Sequence, residues 1–460
     1  MDADLARDRF LRMCLFSTLF GSYRAAQTMN QLFQTHLCDG TIYFDDMERP
    51  ISSIQATEAK CKSKTASPGP EAVLFSAKTV FGSAVVAEAV PAEDHAVWVA
   101  GFESYSLDHR YYEIAHESLK DQFAHYYLLL KDVSGATRAI QPFLVVSQDL
   151  ATGTPAVFRS ILGHIRGHFP GFLKMRMLMV GCSAGEGDIV RESRSGDIEW
   201  TVDALGKSLM PVARHFKAML IVFKDFPSHY RLSLDRLGAS GYKRVPSMPA
   251  TKLCLDFPDF EAFLKTRVSY SIRKNLRRKF RKTEGEHRTG FEVVTDLTPY
   301  IDEVYPLYRQ TLDRSQLKFE ELTKSYLCEL GRRMPERAKF FIWRQEGKIV
   351  AFASTIIHNG VLRDNYIGLD YSVALTYHLY FVTLRDTIVW ALQNQIHTYH
   401  SAPLNYDPKY HFRMELEPLD LYVRAPNGLF NQLFKRILPL LEPTRYDPIV
   451  PKFPNASELW

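Results

Sequence analysis

The chain has 460 residues, 46% hydrophobic and 24% charged, which are ordinary globular values and leave room for two or three domains with separate cores. Its formal net charge is only +5. Its six cysteines (Cys14, Cys38, Cys61, Cys182, Cys254, Cys328) form no CxxC pair and no His cluster at metal spacing. That argues against a disulfide framework and a structural zinc and suits a reducing, cytoplasmic setting. No apolar run reaches the roughly 18 to 20 residues needed to span a bilayer.

Residues 1–80 read as an N-terminal extension. Arg7, Arg9 and Arg12 before Met13–Phe20 imitate a signal peptide, but Ser17 and Thr18 interrupt the apolar core and no small-x-small site follows, so a short helix is the simpler expectation. The Ser-, Thr-, Lys- and Gly-rich stretch 51–70 reads as a flexible connector. Globular patterning begins near Val80, with a strand over Ser83–Val90.

From there the sequence repeats itself. His125–Gly135 runs into Arg138–Ser147, and Lys339–Gly347 runs into Lys348–His358. Each is a pair of β-rich runs around a polar, glycine-containing turn, which predicts a hairpin. Each follows helical segments and precedes another strand and a long helix. The expectation is two tandem α/β (α+β) units, over 81–245 and 246–460, each a mixed, mostly antiparallel sheet flanked by helices.

The second unit is the clearer. It predicts a helix over 259–282, a strand over 291–295, helices over 299–312 and 320–333, and the hairpin 339–358. A strand over 361–368, a helix over 377–395, strands over 398–402 and 419–424, and a helix over 429–441 follow. Pro299 falls in a first helical turn, where its missing N–H costs nothing.

The helix over 259–282 ends in Arg273–Lys282, where seven of ten residues are cationic. Arg273, Arg277 and Arg281 make one stripe and Lys274, Arg278 and Lys282 the next, beside a Leu276/Phe280 anchor. Charge that dense suits phosphate on a cofactor, RNA or an anionic membrane.

This order resembles the GNAT acyltransferase fold, and its tandem form resembles the FemAB-like branch, over roughly 80–445. Three stretches carry the likeness: the cationic helix from Ser271, the run Asn365–Tyr371 leading to a long helix, and the late Asn405–Arg413. The resemblance implies transfer of an acyl or aminoacyl group from a thioester (acyl-CoA or an acyl carrier protein) or a charged tRNA to an amine-bearing small molecule or peptide, without a metal. One departure stands out. The glycine-rich pyrophosphate turn of acetyl-CoA enzymes is replaced by Tyr371–His378, which has no glycine, so a different donor is open.

Acyl transfer to an amine needs a base, an oxyanion donor and an acid. Strand alternation places Asp364, Tyr366 and Gly368 on one face. Tyr366, Asp370 and His378 are the catalytic candidates, with His378 kept neutral at a helix N-terminus. Asp364, Tyr371, Tyr406, Lys409 and Arg413 are the substrate-binding candidates, with Lys409 and Arg413 as anion grips. Arg273, Arg277 and Arg278 are candidates for holding the cofactor. So are Gly181, Gly185 and Gly187, which end a strand as a nucleotide loop does. That glycine cluster also resembles the first motif of adenosylmethionine-dependent methyltransferases, an alternative function. A third is a non-catalytic protein that uses the cationic helix on RNA or at a membrane surface.

Overall fold

The computed structural model describes residues 73–102, 105–150, 156–168, 171–192, 196–284, 288–315 and 317–460. The signal-like segment and the connector over 51–70 lie outside the described residues. From Pro70 onward the chain forms one compact body, built on two mixed sheets.

The first sheet draws on β1 (Val73–Thr79), β2 (Gly82–Ala87), β3 (Ala124–Lys131), β4 (Thr137–Asp149), β5 (Lys174–Val180), β6 (Leu220–Pro227) and β7 (Lys243–Pro246). Between these strands lie helices α1 (His95–Ala100), α2 (His109–Ser118), α3 (Ala156–Arg166) and α4 (Ile198–His215). Next in the chain are β8 (Ala250–Cys254), α5 (Phe260–Arg267), α6 (Tyr270–Phe280), β9 (Gly290–Val294), α7 (Ile301–Arg314) and α8 (Lys324–Arg333). They are followed by β10 (Ala338–Gln345), β11 (Lys348–His358), β12 (Val361–Leu369) and α9 (Leu379–Gln393). The last elements are β13 (Thr398–Ser401), α10 (Tyr406–His411), β14 (Glu415–Glu417), β15 (Leu419–Arg424) and α11 (Gly428–Leu441).

The strand orders are β1-β2-β3-β4-β5-β6-β15-β7 and β14-β8-β13-β12-β11-β10-β9. Each sheet has one parallel pair, β5/β6 in the first and β12/β13 in the second, and every other neighbour is antiparallel. Laid side by side, β2-β3-β4-β5-β6-β15-β7 and β9-β10-β11-β12-β13-β8-β14 are the same series. The strand that ends each series in the chain crosses to the other sheet: β8, which follows β7, inserts between β13 and β14, and β15, which follows β14, inserts between β6 and β7. The strand expected at 419–424 is therefore present, but it completes the first sheet. A boundary at 245/246 divides the chain without dividing the sheets.

The contacts between the halves repeat the duplication. Tyr111 and Tyr326 are each the third residue of a matching helix, α2 and α8, and their rings meet edge to face at 6.1 Å. Just past α2, Gln122 holds the backbone of Glu321 by two hydrogen bonds of 2.6 and 2.8 Å. Just past α8, Arg337 donates to the carbonyl of Tyr105 at 2.6 Å. Each receiving segment leads into the opposite helix. A single core runs through both halves, from Trp98, Phe102 and Tyr111 to Leu327, Phe340 and Phe352.

Two expectations need correction. The helix over 259–282 is two helices, because Val268 is extended and Ser269 starts α6. Arg273 seals the break, donating to the carbonyls of Leu264, Lys265 and Val268 at 3.2, 3.1 and 2.7 Å. Leu276 and Phe280 anchor α6, at 0% and 5% exposure, worth roughly 1.5–3 kcal/mol each if fully buried.

The second correction concerns β12. Ser354 pairs with Tyr366 and Thr355 with Asp364, so Asn365 is a bulge residue. The bulge breaks the alternation. Leu362 packs in the core beneath α9, while Tyr366 packs in the core shared by both halves. Asp364 thus lies on the opposite face from Tyr366. Gly368 stays with Tyr366, where α7 crosses so closely that a Cβ would sit 2.6 Å from the backbone nitrogen of Tyr308.

Candidate active site

The parallel pair of the second sheet is short. β12 and β13 are in register from Val361/Thr398 to Asp364/Ser401, and the last link is Ala402 N–H to the Asp364 carbonyl at 2.9 Å. β12 then continues to Leu369, paired only with β11. Pro403 cannot donate to a ladder, and Leu404 and Asn405 both take left-handed backbone, at φ 75° and 52°. The two strands therefore part, and one edge of residues 365–369 is left without a strand.

A buried polar group stands at this fork. The Tyr399 hydroxyl, from β13, donates to Asp364 Oδ2 at 2.8 Å. Lys409 is 1% exposed, and its ammonium donates to the carbonyls of Ala402 and of Leu404, the latter at 2.9 Å. Burial raises the Asp364 carboxyl above the usual carboxylate range and pushes the Lys409 ammonium well below the usual lysine range. Each charge partly offsets the other's shift. Tyr380, from α9, stands among Asp364, Asn405 and Ser401, and burial raises its phenol. The result is a buried carboxyl and a buried amine, each acting on the other's charge, with two phenols beside them where this sheet opens.

Next to the fork, α9 begins at His378, which has φ 52° and makes no capping bond. Burial lowers the pKa of this imidazole, and the charges of Lys279, Lys282 and Arg278 lower it further. Lys279 lies over the Phe381 ring at 3.2 Å, and its ammonium is itself held down by burial. Lys274, Arg281 and Lys282 have no hydrogen-bond or ion-pair partner among the described residues. The backbone here does not fit a pyrophosphate cradle. The amides of Tyr377, His378 and Leu379 already donate to Val373, Leu375 and Ala374 at 3.0, 3.4 and 2.9 Å. A phosphate at this helix start would be held mainly by side chains.

The remaining candidates fall elsewhere. Asp370 bonds Lys348 at 2.7 Å and the Ser372 hydroxyl at 2.5 Å, which holds its carboxyl low although burial opposes this. It pins a turn and is no proton carrier. Tyr371 is covered by the Arg314 guanidinium at 4.1 Å. Tyr406 is buried and donates to the Pro249 carbonyl at 2.7 Å, while Arg413 lies over Tyr410 at 5.6 Å. Arg273 is consumed by the helix break, Arg277 pairs with Glu261 at 2.7 Å, and only Arg278 of the three reaches the α9 start.

Tyr366 points between the halves, donating to Glu320 at 2.8 Å and to the Ala184 carbonyl at 3.2 Å. Two of the loop's three glycines are held by close packing. A Cβ on Gly187 would sit 2.5 Å from the Lys224 carbonyl and the Phe226 ring, and one on Gly181 would meet Gly187 at 3.2 Å. That leaves the methyltransferase reading without its loop, and neither sheet is the parallel one it needs. Nothing local marks Tyr399, which the parallel pairing brings to Asp364, while the packing of α9 brings Tyr380. Lys279 and Lys282 are inside the cationic run and could have been selected.

A parallel pair that parts within a seven-stranded sheet, with a long helix between its strands, is the architecture the resemblance implies. Residues 271–410 match the family model described as Acetyltransferase (GNAT) domain. This region is a GNAT domain. Among solved structures, FemX is similar over 75% of this chain and 99% of its own, at 11% identity and TM-score 0.46. A tandem GNAT protein from the clavulanic acid biosynthesis pathway is similar over 75% and 99%, at 10% identity and TM-score 0.42. The C-terminal domain of a putative lysylphosphatidylglycerol synthetase from Agrobacterium fabrum covers 67% and 86%, at 15% identity and TM-score 0.42.

Among curated proteins, the chain is 22% identical over 255 residues to a putative 8-amino-7-oxononanoate synthase 2 of Mycobacterium tuberculosis. The match takes in 54% of this chain, and the chain spans about a third (32%) of that relative's length. Among the described residues no group of three or more His, Cys, Asp or Glu gathers as a metal site, and no helix is long and apolar enough to cross a membrane.

Proposed function

We propose that the GNAT domain transfers an acyl or aminoacyl group from a phosphate-bearing donor, a thioester or a charged tRNA, to an amine. The observation that carries this reading is the buried Asp364–Tyr399–Lys409 group at the fork between β12 and β13. The donor's phosphate rests on Arg278, Lys279, Lys282 and His378, and its acyl arm lies along the freed edge of residues 365–369. Side-chain rather than backbone recognition favours a polyanionic donor, an aminoacyl-tRNA or a carrier protein, over free CoA.

In the reaction the acceptor nitrogen attacks the donor carbonyl carbon. An N–C bond forms, and the C–S bond of a thioester or the C–O bond of an ester breaks. Asp364 takes the proton that the amine loses, and its raised proton affinity brings it nearer the amine's working range. Lys409, easily deprotonated where it is buried, returns a proton to the leaving sulfur or oxygen. Backbone N–H groups on the freed edge, other than that of Leu369, which donates to the Thr311 hydroxyl at 3.2 Å, face the carbonyl oxygen as charge builds on it. Tyr399 holds the Asp364 carboxyl in place.

The test is acyl transfer with donors of each class and a panel of amines. Free thiol or deacylated tRNA that appears only when an amine is present supports the reading. Turnover that survives intact in Lys409→Met removes the fork from the chemistry. Tight, salt-sensitive RNA or vesicle binding with no turnover favours the non-catalytic alternative.

A further inference from the structure

A cavity of about 550 Å3 lies away from the fork, between the end of the cationic segment, the start of β9 and the outer half of α9. That volume is within the range of small-molecule sites. Three features of its wall point to a ligand. Arg288 lines it, is exposed, and has no hydrogen-bond or ion-pair partner among the described residues. The Thr289 hydroxyl oxygen beside it is buried and has no hydrogen-bond partner among the described residues, a cost of about 1–3 kcal/mol that a ligand reaching it would relieve. Phe291 and Trp390 give the wall aromatic surface, and both side chains are only half-buried.

Of the other charged groups in the wall, Glu284 is exposed and has no side-chain partner among the described residues, while Arg385 and Asp386 are engaged. Arg385 bonds Asp386 at 2.8 Å and covers Phe280 at 4.9 Å, while Asp386 accepts the Trp343 N–H at 2.8 Å. Arg288 is thus the guanidinium left for an incoming anion. The unpaired cations Arg281 and Lys282 immediately precede Thr283 and Glu284 at the cavity's edge, so a phosphate chain lying on α6 leads directly to it.

We propose that this cavity is a nucleotide-binding site. A base stacks on Trp390, its edge meets the Thr289 hydroxyl and the Gln393 amide, and its phosphate is held by Arg288. The same nucleotide chemistry is carried by the adenosine phosphate of a CoA thioester and by a residue of an RNA strand. Binding is read without turnover, so this inference can fail while the acyl-transfer reading stands, and the reverse.

The experiment is calorimetric titration of the full chain with adenosine 5′-monophosphate, adenosine and inorganic phosphate, followed by Arg288→Gln and Thr289→Val. Neither variant threatens folding, since Arg288 is exposed and valine removes an unpaired hydroxyl at nearly constant volume. The monophosphate should bind at one site and more tightly than adenosine or phosphate, and each variant should weaken it about tenfold. Thr289→Val should leave the Tm unchanged or raise it. Displacement of the monophosphate by CoA but not by a short single-stranded RNA would identify the first source, and the converse the second. No monophosphate binding, or binding unaltered in both variants, overturns the proposal.

Discussion

Asp364→Asn separates the chemistry of the fork from its stability. Asparagine keeps the shape and still accepts the 2.8 Å bond from Tyr399. What it removes is a charge that burial disfavours. Because the folded carboxyl binds its proton more tightly than the unfolded one, the protonated group contributes stability at low pH. That contribution is lost as pH rises from the ordinary carboxylate range through the raised folded value. Each tenfold gain in proton affinity costs the ionised folded state about 1.4 kcal/mol, so at pH 8 the variant should be more stable by on the order of 2 kcal/mol. Below pH 4 the two proteins should unfold alike.

Activity should move the other way. Loss of a general base costs about 10²- to 10⁴-fold, and the acidic limb of the rate profile should disappear. Urea unfolding at pH 4 and pH 8, with single-turnover transfer from pH 5 to 9, measures both. A variant that is destabilised at pH 8, or that keeps activity within tenfold with the acidic limb intact, refutes the reasoning.

Arg278→Glu with Lys282→Glu should raise the donor KM at least tenfold with little change in kcat. That loss should shrink as salt rises, read from initial rates at two ionic strengths. Tyr366→Phe removes the hydroxyl shared by Glu320 and the Ala184 carbonyl. It should cost about 2 kcal/mol in urea unfolding and spare kcat within a few-fold, as a joint between the halves would. Gly187→Val forces a Cβ against the Lys224 carbonyl and should cost about 3 kcal/mol or abolish soluble expression, which melting curves report.

Much of the second unit was legible because its elements obey local rules. The hairpin over 339–358, the strand over 361–368 and the two long helices follow hydrophobic periodicity and turn chemistry closely. Three features did not, each for a non-local reason. The break at Val268 lacks Gly or Pro, and is stabilised by Arg273 reaching back from the next helix. The bulge at Asn365 depends on pairing with β11, so simple alternation misplaces Asp364 relative to Tyr366. The exchange of β8 and β15 joins strands over 140 residues apart, which no window on the sequence detects. The site suffered in the same way. Asp364 and Lys409 were visible as residue types, whereas Asp370 and Arg273 looked alike in kind and proved to be taken by a turn and a helix end.

The most direct test is a crystal structure with a non-hydrolysable acyl or aminoacyl donor analogue. The account predicts the acyl arm between β12 and β13 within hydrogen-bonding reach of Asp364 or Lys409, and phosphate against Arg278, Lys279 or Lys282. A donor seated in the first sheet, or strands 361–369 and 398–401 closed with the analogue elsewhere, contradicts it.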